Sequence, residues 1–186
     1  GFSDLYIVFA KVDGEKFSAF IVERGTPGMS PGKKENKLGM RASDTTEVVL
    51  QDCRIDADHL LGKEGQGFAN AMQVLEAGRI GIAALAVGLA QGAYEAARRY
   101  ALQREQFGQT IASFQAIRWK LADMATWIHA GQFMVYHAAW KIDRDEDAVQ
   151  EASMAKLFCS ETASQIADMG VQIHGAMGFM KPTPVE

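Results

Sequence analysis

The chain has 186 residues, of which 48% are hydrophobic and 23% are charged, and its formal net charge at pH 7 is −4. These proportions are typical of a globular protein with one core or two small domains, and the acidic balance gives no electrostatic reason to bind nucleic acid or an anionic membrane. The longest uncharged apolar run, residues 80–90, is shorter than the roughly 20 residues of a membrane-spanning helix, so we expect neither nucleic acid nor a membrane among its partners.

The first part of the chain predicts β-structure. Residues 5–11 and 17–23 are rich in β-forming side chains, and the Asp13-Gly14 pair between them is a strong hairpin signal. The stretch RGTPGMSPG is expected to break regular structure, and residues 46–55 predict a further strand. Because so small a sheet is marginally stable by itself, we expect the chain to begin inside a domain.

A single long helix is predicted over residues 65–108. Apolar residues recur along it at helical spacing: Phe68, Met72, Leu75, Ile82, Leu85 and Leu89. Residues 80–90 hold no charge, which predicts that this part is buried on all sides. Arg79 lies at the edge of the apolar run and Arg104 lies beyond it. Because an unpaired buried charge is costly, these arginines indicate a bound anionic ligand or an acidic partner.

Two more helices follow. Ser113 is a plausible N-cap for a helix that runs to about Ile142, and a third helix is predicted from about Ala148 to His174, ended by Gly175. Long helices with short connections pack as an antiparallel bundle, and a fourth helix would close a better core. The predicted fold class is α+β, with part of an antiparallel β-domain followed by an incomplete up-down four-helix bundle.

The sequence lacks the common catalytic and metal motifs. His129 and His137 are two helical turns apart, so they do not form the pair of a zinc helix, and no HExxH, GxSxG or cysteine–histidine cluster occurs. Cys53 and Cys159 are expected to be free thiols. We therefore predict no metal site and no serine or cysteine nucleophile.

Glu76 and Arg79 are three residues apart on one helix face. A simple intrahelical ion pair is the favoured interpretation of this spacing. The alternative is a carboxylate that holds an arginine on the wall of a ligand pocket. The glycine-rich GKEGQG lacks the ending of a phosphate-binding loop, and a flexible entry to the helix is favoured there.

Two further segments together suggest a nucleotide ligand. Arg104, followed by Phe107 and Gly108, offers a guanidinium fork for phosphate oxygens beside an aromatic face. Gln172 and the backbone around Gly175 offer hydrogen-bonding groups and close backbone approach. Either segment alone would fit an ordinary helix terminus.

The order and spacing of the motifs resemble the acyl-CoA dehydrogenases over essentially the whole chain. The motifs are KLGMRASDT, LxxCRI, GxxGxGF, the stretch from LEAGRIGIA to QREQFG, FQAIRWKLADMA and QIHGAMGF. EAGRIGIA is most similar to the short-chain, butyryl-CoA-type branch. The resemblance implies that residues 1–62 are the second half of a middle β-domain and that residues 63–186 are most of a C-terminal helical domain, without its last part.

The resemblance also implies a reaction and its partners. Members of the family use FAD for α,β-dehydrogenation of an acyl-CoA thioester, here expected to carry a short or branched chain. A glutamate removes the α-proton, the β-hydrogen moves to the flavin as hydride, and the electrons pass to electron-transferring flavoprotein. Members usually assemble as homotetramers. A bacterial cytoplasm is the expected location, or the mitochondrial matrix if the source is eukaryotic.

Site residues carry over position by position. The expected cofactor-binding residues are Arg104, Phe107, Gln115, Gln172, Ile173, His174, Gly175 and Ala176, of which the last five match a loop that reaches the FAD of a neighbouring subunit. The expected substrate-binding residues are Glu76, Ala77, Gly78 and Arg79. Two positions depart from the family pattern, since Glu76 replaces an aspartate and Ala176 replaces a second glycine.

No catalytic base is assigned within these residues. Most branches carry the base after the PVE segment, and a few carry it just before the helix arginine, where this chain has Gly78. Glu76 and Glu186 fall on neither position. Because the resemblance also implies that the early β-domain with its flavin-contacting segment is absent, the chain alone is expected to bind FAD poorly and to be inactive. The alternatives are an oligomerisation and FAD-sharing module without its own activity, and an acyl-CoA oxidase-type relative.

Overall fold

A computed structural model describes residues 1–181 and 183–185. Glu186, which the sequence analysis rejects as a base, lies outside the described residues. The chain divides into two compact units, Gly1–Gln73 and Val74–Glu186.

The first unit begins with a β-hairpin. Strand β1 (Leu5–Val12) pairs antiparallel with β2 (Lys16–Glu23). The turn between them holds Asp13 at φ 51° and Gly14 at φ 77°. Positive φ at both positions matches the twist of the flanking strands. The hairpin predicted from the Asp13-Gly14 pair is confirmed.

A second antiparallel pair completes the β-structure of this unit. Strand β3 (Met29–Lys34) pairs with β4 (Thr46–Leu50), and the register shifts between Pro31 and Lys34. The expectation that RGTPGMSPG breaks regular structure is therefore wrong for its last four residues. Proline is tolerated at such an irregularity because it has no N–H to donate to the ladder. Strand β4 is shorter than predicted, since the positive φ of Asp52 is incompatible with a strand.

The second unit is helical. Helix α1 (Gly67–Gln103) begins in the first unit and continues through the second, followed by α2 (Gln115–Ile142) and α3 (Val149–His174). Between α1 and α2 lies a short hairpin of β5 (Glu105–Gln106) and β6 (Gln109–Thr110). The three predicted helices are confirmed, but α1 ends at Gln103 rather than at Gly108. The helix cannot continue through Phe107 and Gly108, whose φ angles are 54° and 79°.

The start of α3 agrees with the prediction, whereas the N-cap predicted for α2 is wrong. Ser113 is not the N-cap of α2: it lies in a 3-10 turn, Ile111–Ser113, and its hydroxyl contacts that of Thr110 at 3.3 Å. The start of α3 is held by the Asp147 carboxylate, which accepts the N–H of Val149 at 3.0 Å. Helix α3 ends at Gly175, with φ 59°, as predicted.

Helix α1 contributes only alanines to the buried hydrophobic core of the described chain. These are Ala83, Ala86, Ala90, Ala97 and Ala101. The larger buried side chains come from the other two helices, among them Met124 and Ile128 of α2 and Cys159 and Ile166 of α3. Because alanine is small, the backbone of α1 can approach its neighbours closely.

The expectation that residues 80–90 are buried on all sides is wrong. Ile82, Leu85 and Leu89 are 50%, 48% and 63% exposed, because the other two helices cover one face of α1 and leave the opposite one open. These residues line a groove of about 600 Å³ with small residues of α3. By length and composition alone, α1 is long and apolar enough to cross a membrane, but core helices of soluble proteins meet the same criteria. The absence of a membrane partner therefore stays a prediction.

Candidate functional site

Arg104 lies directly after α1, with its backbone held on both sides. Its N–H donates to the carbonyl of Tyr100 at 2.8 Å, and its own carbonyl accepts the N–H of Ile111 at 2.8 Å. Its side chain is exposed and makes no hydrogen bond or ion pair within the part of the chain that the structure describes. The guanidinium is therefore fixed at its base and open to an anionic ligand.

Phe107 occupies the turn of the hairpin that follows Arg104. The residue is 93% exposed, and its ring meets that of Phe114 edge-on at 6.2 Å. A positive φ is unfavourable for a bulky side chain, so the two-residue turn between β5 and β6 imposes it. The strained turn presents an aromatic face to solvent, three residues after the arginine.

The end of α3 supplies the second part of the site. Gln172, Gly175 and Ala176 are exposed, whereas Ile173 and His174 are 4% and 6% exposed. Ile173 belongs to the hydrophobic core, so a ligand would meet its backbone rather than its side chain.

Of two glycines in the turn after α3, Gly175 is accessible to a ligand and Gly178 is tightly packed. A Cβ at Gly175 would meet no atom within 4 Å, whereas one at Gly178 would clash with the backbone of Val171. The 3-10 turn Gly175–Phe179 therefore folds back onto α3 at Gly178 and stays accessible at Gly175.

The structure brings Arg104 and the end of α3 to one groove. The groove has a volume of about 260 Å³, and its lining includes Tyr100, Arg104, His174, Gly175 and Ala176. The imidazole of His174 stacks on the ring of Tyr100 with centroids 4.4 Å apart. Three of the predicted cofactor-binding residues do not line this groove: Phe107, Gln115 and Gln172.

The donor set of the groove fits the diphosphate of a dinucleotide cofactor such as FAD. The C-terminal end of a helix carries partial negative charge, which opposes an anion. The guanidinium of Arg104 supplies the positive charge that offsets it, in a geometry suited to phosphate oxygens. Gly175, with no side chain, leaves room for the ligand to approach the backbone.

The predicted substrate-binding residues lie near the other end of α1. Glu76 and Arg79 are half-buried, and Ala77 and Gly78 are exposed. The intrahelical ion pair expected from the spacing is not formed among the described residues. Arg79 instead donates to the Ser153 hydroxyl of α3 at 3.0 Å.

The two candidate sites are far apart within this chain. Arg79 and Gln103, the last residue of α1, are separated by 24 residues, or about 36 Å at 1.5 Å per residue. The structure therefore does not join the two predicted sets in one pocket. Sequence reasoning missed two residues that support them: Tyr100, which lies one helical turn before Arg104, and Ser153, for which α3 carries no local signal.

The family is decided by comparison with known proteins. Residues 65–186 match the family model described as acyl-CoA dehydrogenase, C-terminal domain. An acyl-CoA dehydrogenase of Bacillus subtilis (strain 168) is 50% identical over 190 residues, covering 100% of this chain and 50% of that protein. The chain belongs to the acyl-CoA dehydrogenase family. It spans about half the length of the relatives it matches.

Solved structures confirm the α+β fold class. The butyryl-CoA dehydrogenase of Megasphaera elsdenii superimposes with a TM-score of 0.94 at 44% identity, covering 98% of this chain and 49% of that one. An acyl-CoA dehydrogenase of Bacillus anthracis complexed with FAD superimposes with a TM-score of 0.92 at 38% identity, covering 99% and 35%.

A chain from a structure of the electron transferring flavoprotein of Acidaminococcus fermentans is also similar. It has a TM-score of 0.94 at 44% identity, covering 99% of this chain and 50% of that one. The resemblance inferred from the motifs, including the butyryl-CoA-type branch, is confirmed by these relatives.

Proposed function

We propose that this acyl-CoA dehydrogenase-family chain works in an FAD-dependent enzyme that oxidises the α,β carbon–carbon bond of an acyl-CoA thioester with a short or branched chain. The observation that carries the proposal is the groove that joins Arg104, whose guanidinium has no partner among the described residues, to the open backbone at Gly175. Its chemistry suits a dinucleotide, and the family supplies the reaction.

Residues inside and outside the groove have distinct physical roles in this proposal. The guanidinium of Arg104 pairs with phosphate oxygens, and Gly175 lets the backbone approach them closely. The exposed ring of Phe107 offers a stacking face for a flat heterocycle. Gln115 and Gln172, both exposed, offer amide groups to the polar edges of the same ligand. When bound, FAD supplies the acceptor for the hydride that leaves the β-carbon.

The other end of α1 serves the substrate. Arg79 is held toward α3 by Ser153, which in turn donates to the carbonyl of Val149 at 2.7 Å. This arrangement fixes the Glu76–Arg79 segment that the family places beside the bound acyl-CoA. No residue of the described chain is assigned as the base that removes the α-proton. The chain's own contribution is therefore binding and orientation.

The remaining assignments extend the proposal to partners. Similarity to a chain from the Acidaminococcus fermentans structure supports an electron-transferring flavoprotein as the electron acceptor. A homotetramer follows from the family resemblance, and in it the groove formed by Arg104 and the end of α3 would hold the FAD of a neighbouring subunit, which the Gln172–Ala176 segment reaches. The cytoplasm of a bacterium, or the mitochondrial matrix of a eukaryote, is the proposed location.

Absorbance and turnover test the proposal. The full-length enzyme that contains this sequence is expected to show flavin bands and to reduce electron-transferring flavoprotein with butyryl-CoA, with a lower kcat/KM for long acyl chains. The 186-residue chain alone is expected to turn over nothing. Absence of bound or bindable flavin in the full-length enzyme would overturn the proposal. Rapid reoxidation of the reduced flavin by oxygen would instead favour the oxidase alternative.

A further inference from the structure

His174 is an unusual residue to find buried at the end of α3. It is 6% exposed, and in the described part of the second unit it is the one buried residue with a polar side chain. A leucine or phenylalanine would fill the same space without the cost of removing two ring nitrogens from water. The contacts of the imidazole therefore need an explanation.

Two contacts fix the orientation of the imidazole. Its Nδ1 lies 2.8 Å from the carbonyl oxygen of Gly170. A carbonyl only accepts hydrogen bonds, so Nδ1 carries the proton and donates. The face of the ring stacks on Tyr100 with centroids 4.4 Å apart and 26° between the planes. A flip of the ring would break the hydrogen bond, and a swing of the side chain out of its place would lose both contacts.

The stacked pair joins the two halves of the candidate cofactor site. Tyr100 lies one turn before Arg104, and its carbonyl accepts the Arg104 N–H. His174 directly precedes Gly175, and the chain folds back so that Gly178 leaves no room for a Cβ beside the Cβ of His174. The imidazole is thus held between α1 and the turn that follows α3.

The same pair forms a wall between two grooves. The groove with Arg104 and Gly175 lies on one side, and a second groove of about 350 Å³ with Arg99 and Gln103 lies on the other. Tyr100 and His174 line both, together with Met177. Loss of either ring would therefore remove part of the boundary between the two spaces, and with it the side-chain contact that links the helix before Arg104 to the residue before Gly175.

We propose that His174 is a positioning residue, which through its stack on Tyr100 holds Arg104 and Gly175 at the spacing that the cofactor diphosphate requires. It does so without touching the cofactor through its ring. The inference rests on the proposed function, because it takes FAD as the ligand of the groove. It differs from the expectation drawn from family resemblance, which counts His174 among the residues that bind FAD.

Equilibrium binding of FAD to the apoenzyme, prepared from the full-length protein, tests this role with paired substitutions. Tyr100→Phe and His174→Phe keep a stacked ring, and we expect their Kd values for FAD to stay within about twofold of wild type. Tyr100→Leu and His174→Leu lose the stacked ring, and we expect their Kd values for FAD to rise by about three- to tenfold. This range is the interaction energy of an aromatic pair converted to a ratio of dissociation constants. Saturating FAD is expected to restore kcat in the leucine variants, since no reacting group is removed.

Ile166→Val is the matched control for loss of core stability. Ile166 is fully buried between the helices but lines neither groove, so this substitution is expected to lower the melting temperature and leave the Kd for FAD unchanged. If His174→Phe weakens FAD binding as much as His174→Leu does, the stacked ring is not what maintains the site, and the inference is wrong. It is equally wrong if both leucine variants bind like wild type. Failure of the wild-type protein to bind FAD would instead overturn the proposed function.

Discussion

Replacement of Arg104 by glutamine is the sharpest test of the candidate cofactor site. The guanidinium has no partner within the described chain, so its removal should leave the free energy of unfolding of the apoprotein within about 0.5 kcal/mol of wild type. A hydrogen bond to a charged group contributes about 1.5–3 kcal/mol. With a central value near 2 kcal/mol, Arg104→Gln should raise the Kd for FAD by roughly 30-fold.

Two further variants separate a specific contact from general electrostatics. Arg104→Lys keeps the positive charge but loses the planar fork, so its affinity should fall between those of wild type and the glutamine variant. Arg98→Gln removes an exposed arginine from the same end of α1 that lines neither groove, and it should change the Kd by less than about twofold.

Quenching of flavin fluorescence during titration of the apoenzyme measures these affinities, and thermal unfolding of the same samples measures stability. Added salt should also weaken FAD binding more steeply in the wild type than in Arg104→Gln, because ions screen the attraction between Arg104 and the phosphate, which the variant lacks. Equal weakening by Arg98→Gln and Arg104→Gln would refute the assigned contact. So would an unchanged Kd for Arg104→Gln.

Three other predictions follow from single contacts. Phe107→Asn should raise the free energy of unfolding by up to about 1 kcal/mol, because asparagine tolerates positive φ. The same substitution should weaken FAD binding severalfold. A lower free energy of unfolding in urea denaturation would contradict the conclusion that the backbone is strained at Phe107. Ser153→Ala should cost about 1 kcal/mol in the same assay, through loss of the hydrogen bond to Arg79, and no change would mean that water replaces the hydroxyl. The hydrogen bond from Lys141 at 2.8 Å holds the pKa of the Glu151 carboxyl below its ordinary value of 4.5, so this pair stabilises the fold above that pH and its contribution is lost as the pH falls through the lower folded-state value. Glu151→Gln should flatten the acid limb of the stability curve, and an unchanged limb would assign acid unfolding to other groups.

The local chemistry of the sequence was enough to predict the elements whose ends depend on neighbouring residues. The Asp13-Gly14 hairpin and the end of α3 at Gly175 are of this kind, since each requires positive φ at a residue that tolerates it. The end of α1 was missed because the turn at Phe107 places positive φ on a bulky residue, which composition does not signal. Strand β3 was missed because its pairing with β4 offsets the local preference of Pro31.

Tertiary partners decided the rest. Periodicity showed which residues of α1 share a face, but it could not show which face the other helices cover, and so Ile82 and Leu89 are exposed rather than buried. Spacing allowed Glu76 and Arg79 to pair, but Ser153 of α3 is the partner that Arg79 takes. The motifs pointed to Arg104 and Gly175. The stack of Tyr100 on His174 joins residues from two helices and has no sequence signature.

The alanine face of α1 sets a limit on how the protein can change. A side chain can shrink there only to glycine, and any larger one would force the helices apart, so the distance between the axes is held close to its minimum. Since α1 turns once every 3.6 residues, its length also fixes the relative direction of Arg79 and of the hairpin after Gln103. An inserted residue between them would rotate the far end by about 100°. The alanines packed against the other helices leave no room for a local distortion that would compensate for this rotation. A change in the length of α1 would therefore alter both the distance and the angle between its two ends, whereas substitutions at those ends would alter neither.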